Sequence, residues 1–186
     1  MTLAEPPRRP QLVEGLRTRL CEVVPALQLI AEGVLGANSS IDFVGVEPTG
    51  RVVLILVGEK DDDLELIARA IAQRAWVEPR IRDWIQLAPN LGLRPGAGVR
   101  VVLLCPSFRH ETEAAAAALG DQTVSLVRYR CLLNRGNLEI FIEPIDRMVA
   151  LESTPPKPER SGLPAFRTGL NHEDLGLTAE EYVEFE

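Results

Sequence analysis

Ile41-Asp42-Phe43-Val44-Gly45-Val46, then Glu47-Pro48-Thr49-Gly50, then Arg51-Val52-Val53-Leu54-Ile55-Leu56-Val57 decides the fold of this chain. Two apolar runs rich in β-branched residues flank a turn with proline early and glycine last. That pattern predicts a hairpin closed by a type I turn and a left-handed glycine. If Glu47 pairs with Arg51 and the register runs on unbroken, Asp42 falls opposite Leu56. Period-two alternation then puts Leu54, Leu56 and Gly58 on the same sheet face as Asp42, Val44 and Val46.

Upstream, Leu12, Val13, Leu16, Leu20, Val23, Val24 and Leu27 recur at helical spacing, predicting a helix over 11–27 that ends near Pro25. Residues 29–35 read as a short strand, and the stretch from Gly36 through Asn38, Ser39 and Ser40 as loop. Downstream, Asp61, Asp62 and Asp63 suit a helix N-terminus, and Leu64, Ile67, Ala68, Ile71 and Ala75 continue with helical spacing. That helix is expected to run on or break near Pro79, with Trp76 and Trp84 on one apolar stripe of the core or of a dimer contact. Residues 99–105 form an apolar run ended by Pro106, as expected of a strand buried on both faces. An alanine-rich helix over 111–119 stops at Gly120, with Ser107 a candidate for its N-cap. Strands over 124–133 and 138–145, joined by Asn134, Arg135, Gly136 and Asn137, complete a mixed α/β sandwich.

Composition bounds the class. The 186 residues are 46% hydrophobic and 25% charged, which suits one soluble domain, placed at 1–150. A proline-containing linker and acidic tail follow at 151–186. No run reaches the roughly 18 apolar residues of a membrane span, and the N-terminus does not read as a signal peptide, so no membrane partner and a cytoplasmic location are expected. Cys21, Cys105 and Cys131, with His110 and His172, are too few and scattered for a zinc site. The net charge of −7 sits mostly in the tail, which holds three basic and eight acidic residues, against 17 and 19 in the body. Composition thus gives no general basic excess for nucleic acid, leaving room only for a local patch.

The order of elements, the Ile-Asp opening the hairpin, the Gly-Arg opening its second strand and the Cys-Pro-Ser closing a later strand carry a resemblance. The chain resembles the PD-(D/E)XK nuclease superfamily, and within it the NucS-like endonucleases, over roughly residues 12–133. The resemblance implies a restriction-endonuclease-like sandwich with a mixed central β-sheet flanked by helices. It also implies two carboxylates on neighbouring strands that hold Mg²⁺, and a lysine two positions beyond the second that positions the attacking water. Residue by residue, Asp42 matches the first carboxylate and Gly50 to Ile55 the approach. The second carboxylate position is Leu56 and the lysine position is Gly58.

The leading expectation is therefore a catalytically degenerate domain acting as a structural or binding module, without a cofactor. The alternative is a Mg²⁺-dependent DNA endonuclease with a migrated site of Asp42, Glu59 and Lys60, assisted by Glu14 or, as second choice, Glu22. Arg128, Tyr129 and Arg130 offer a nucleic-acid-facing edge with aromatic stacking, which Arg80, Arg82 and Arg109 could extend. Ser107 and His110 carry a weaker hydrolase reading, without a nucleophile elbow. A homodimer is expected because the related endonucleases are dimers, and the acidic tail is expected to engage a protein partner.

Overall fold

The computed structural model describes residues 2–59, 63–134 and 137–145; the expected linker and tail lie outside them. Among the described residues seven strands form one mixed sheet, β1 (Thr2–Ala4), β2 (Gln28–Leu35), β3 (Ser40–Val46), β4 (Val52–Val57), β5 (Val99–Cys105), β6 (Val124–Asn134) and β7 (Asn137–Pro144). The spatial order is β1-β6-β5-β4-β3-β2, with β7 on the other edge of β6. β2, β3 and β4 run as an antiparallel meander, and β5 and β6 then continue parallel to β4.

The decisive hairpin has its predicted register. Val46 pairs with Val52 and Phe43 with Ile55, Glu47 N–H donates to Arg51 O at 2.9 Å, and Gly50 takes a φ of +83° to close the turn. β4 is buried on both faces and alternates between two apolar layers. Val52, Leu54 and Leu56 face the layer of α3 (Asp63–Val77), α4 (Ile81–Leu87) and α5 (His110–Leu119), whereas Val53, Ile55 and Val57 face that of α1 (Arg9–Arg17) and α2 (Leu20–Val23). A sheet covered by helices on both faces is the sandwich expected from the sequence.

Several local expectations need correction. The first helix breaks at Thr18, whose hydroxyl donates to the Gly15 carbonyl, yet Leu12, Leu16, Leu20, Val24 and Leu27 still fill one layer. β1 was not foreseen, because three residues carry no period. Ser107 does not cap α5. The start of α5 is instead held by the Asp63 carboxylate of α3, which accepts the N–H of the N-cap residue Arg109 at 2.7 Å and the Thr112 hydroxyl at 2.6 Å. Trp76 and Trp84 pack at the margin of the α3 layer, with the Arg80 guanidinium 4.1 Å above the Trp76 ring.

Candidate functional site

Asp42 leaves the face predicted for it. Val44 and Val46 do share the α3 layer with Leu54 and Leu56. The Asp42 carboxylate instead turns into the seam between β3 and β4, where Oδ2 accepts Val57 N–H at 2.8 Å. The β3–β4 ladder ends at Phe43–Ile55, so a side chain takes over where main-chain pairing stops. Arg9, at the start of α1, enters the same seam. Its guanidinium donates to Asp42 Oδ1 at 2.7 Å and to the Val57 carbonyl at 3.1 Å. Asp42 is only 7% exposed, and both of its oxygens are engaged. Pairing with a guanidinium that hydrogen-bonds it is what allows a carboxylate to be buried there.

The other two motif positions are closed. Leu56 is fully buried in the α3 layer. Gly58 is held on both sides, its N–H donating to Leu104 O at 2.8 Å and its carbonyl accepting the Tyr129 hydroxyl at 3.0 Å. A Cβ at Gly58 would lie 2.5 Å from Cys105 Sγ and 2.8 Å from Leu66 Cδ2, so no side chain fits without displacing the core.

Among the migrated-site residues, Glu59 is exposed and lines a cleft with Arg9, whereas Lys60 lies outside the described residues. Glu14 is 71% exposed beside Arg17, on the solvent side of α1, and Glu22 pairs with Arg19 at 3.0 Å. No group of three or more His, Cys, Asp or Glu side chains among the described residues could share a metal ion.

Tyr129 also needs correction. It is fully buried in the α1 layer and cannot stack on a base. Burial first, then the neighbouring Cys105, Cys131 and Glu59, push its phenol well above the ordinary value, against the opposing charge of Arg9. The hydroxyl therefore stays protonated, as its bond to the Gly58 carbonyl requires. Arg128 and Arg130 alternate with it and are turned to the other face, Arg130 lying 3.5 Å from Glu143. Arg109 is held by Asp63, and Arg80 is stacked on Trp76, so neither extends that pair.

The cleft itself was not legible in the sequence. β5 ends where Cys105 pairs with Arg128, and β1 takes up the same edge of β6 only at Cys131. The notch left beside Tyr129 and Arg130 opens into a cleft of about 970 Å³. Arg8, Arg9, Arg128 and Arg130 line it, together with Glu5, Glu59 and Ser107. A body with no overall basic excess thus gathers four arginines around one concavity.

No family model matches the sequence, and no curated protein matches it. Three solved structures do. A repair endonuclease from Pyrococcus abyssi is 14% identical with a TM-score of 0.43, covering 61% of this chain and 44% of that one. The EndoMS–dsDNA2 complex is 12% identical with a TM-score of 0.32, covering 60% and 42%. SfsA of Pyrococcus furiosus, in complex with Ca²⁺, is 11% identical with a TM-score of 0.31, covering 69% and 58%. The chain spans less than half the length of the two endonucleases. No helix among the described residues is long and apolar enough to cross a membrane.

Proposed function

We propose that the chain is a catalytically degenerate PD-(D/E)XK-type domain that binds nucleic acid without cutting it. The observation that carries the loss of catalysis is the state of the three motif positions. Asp42 is engaged by Arg9 and Val57, Leu56 is core, and Gly58 has no room for a side chain. A single carboxylate, already paired, is a poor holder of Mg²⁺, which is usually held by one or two protein carboxylates together with waters and substrate phosphates.

The cleft supports the binding half of the reading. Arginines set around a concavity suit a phosphate backbone, because the guanidinium fork matches phosphate bidentately and phosphate neutralisation supplies most non-specific affinity. Arg128 and Arg130 are the residues assigned to this contact, and Arg8 lines the same cleft.

Fluorescence anisotropy of the full chain with labelled single-stranded and duplex DNA tests both halves, alongside a cleavage assay in Mg²⁺ and Mn²⁺. Binding that weakens with salt, and whose salt slope falls by about two in the Arg128→Gln, Arg130→Gln variant, is the expected result. Cleavage that needs metal and disappears in Asp42→Ala would overturn the reading and install the site of Asp42, Glu59 and Lys60. Binding unaffected by the double substitution, or no binding, would overturn the cleft assignment.

A further inference from the structure

We infer that a second anion site, separate from the cleft, lies at the opposite end of β4 and takes the phosphate of a small phosphate monoester. Thr49, Arg51, Arg94, Gly96 and Ala97 line a concavity of about 530 Å³ there. Thr49 and Arg51 lead into β4, whereas Glu59 of the cleft follows its end, so the six residues of the strand, about 20 Å, lie between the two places. Two guanidiniums on one concavity repel each other, and an anion set between them removes that repulsion. Glu47, the carboxylate of the same turn, is already committed elsewhere. Its Oε1 accepts Arg100 Nη1 at 3.0 Å and its Oε2 the Thr49 hydroxyl at 3.4 Å.

The walls are fixed before any ligand arrives. Arg94 N–H donates to the Gly50 carbonyl at 2.9 Å and Val52 N–H to the Gly98 carbonyl at 3.3 Å, which ties the loop before β5 to the hairpin turn. Arg51 adds a side-chain tie, its Nε donating to Ala97 O at 3.0 Å and its Nη1 to Gln122 Oε1 at 2.5 Å. Its Nη2 has no acceptor among the described residues. Arg94 is exposed, and its guanidinium has neither an acceptor nor a carboxylate partner among them. The stem of Arg94 lies against the turn, since a Cβ at Gly50 would come within 2.5 Å of Arg94 Cγ. One guanidinium held in place and a second with its donors unspent suit a phosphate, which accepts the fork bidentately. Two positive charges match a monoester, which is close to a dianion at pH 7, better than the single charge of a diester. No aromatic or large apolar side chain lines the concavity, so the group that the phosphate carries is not read.

Calorimetric titration of the full chain at constant ionic strength, with inorganic phosphate, methyl phosphate and dimethyl phosphate in turn, tests the site. The wild-type chain is compared with Arg94→Gln and with the Arg128→Gln, Arg130→Gln variant of the cleft. Wild type is expected to bind inorganic phosphate and methyl phosphate alike, with a dissociation constant on the order of 1 mM, and dimethyl phosphate about tenfold more weakly. Arg94→Gln removes a charge-assisted bond to the ligand and should weaken methyl phosphate about tenfold. Its thermal midpoint in chloride should match wild type, because the Arg94 guanidinium holds nothing else. The cleft variant should bind methyl phosphate as wild type does. No binding of methyl phosphate by wild type would overturn the inference, as would a loss in the cleft variant as large as that in Arg94→Gln. Dimethyl phosphate bound as tightly as methyl phosphate would also overturn it, by placing a nucleic-acid diester there instead. DNA binding through the cleft stands or falls separately, on the Arg128 and Arg130 substitutions.

Discussion

Leu56→Glu places a carboxylate at the position where the sequence resemblance puts the second one, and the structure sets what it costs. Leu56 is fully buried between β4 and α3, so the substitution forfeits about 2 kcal/mol of apolar burial. The new carboxyl is also isolated there. Buried in apolar surroundings, a glutamate has its pKa raised to roughly 8–9 from about 4.3, so keeping it neutral at pH 7 costs about 3–4 kcal/mol. The sum is about 5–6 kcal/mol, comparable with the whole stability of an ordinary domain, about 5–15 kcal/mol. The sign of the pH dependence follows from the raised folded pKa. The penalty is absent below the unfolded value and grows as pH rises, so the gap to wild type should narrow by about 2–3 kcal/mol between pH 7 and pH 5. Urea unfolding followed by the fluorescence of Trp76 and Trp84 measures both quantities. A Leu56→Glu variant as stable as wild type at pH 7, or one stabilised by Mg²⁺, would refute the assignment of this position to the core.

Two further outcomes follow from buried polar contacts. Burial raises the Asp63 carboxyl, but bonds from Thr112 and from the Arg109 N–H and guanidinium outweigh it, leaving the group below its ordinary value of 3.8. Its contribution is thus complete above that value and lost as pH falls through the lowered one, so Asp63→Asn should be less stable at pH 7 and show a flatter acid limb, both read from thermal midpoints. Tyr129→Phe leaves the Gly58 carbonyl without its partner and should cost about 1–3 kcal/mol in urea unfolding, with no effect on DNA binding, since the ring is buried beneath the cleft.

What the sequence disclosed, and what it hid, divides along the distance over which each signal acts. The hairpin was legible because Pro48 and Gly50 impose their turn locally, and the runs on either side fix the register through burial. The burial of Tyr129 was legible in principle, since Val127, Tyr129 and Cys131 alternate with Arg128 and Arg130. Reading the two arginines as one face should have put the ring on the other. The true partner of Asp42 was not legible. Arg9 precedes it by 33 positions and reaches it only because α1 packs over β4 and the ladder stops at Phe43. The cleft was hidden for a similar reason, since it exists where β5 gives way to β1, and no local pattern announces the end of one pairing beside the start of another.

The borrowed cap on α5 bears on how the chain assembles. α5 has no side-chain cap of its own, and the carboxylate that accepts the main-chain N–H of its N-cap residue Arg109 and the Thr112 hydroxyl of its first turn lies at the head of α3, 46 positions before Arg109. An alanine-rich segment of ten residues is too short to hold a helix by itself in water. Its first turn is therefore completed only when α3 is already in place, which makes α5 a late arrival and couples its persistence to that of α3. In amide exchange the two helices should open as one cooperative unit, with protection in α5 collapsing wherever α3 is loosened.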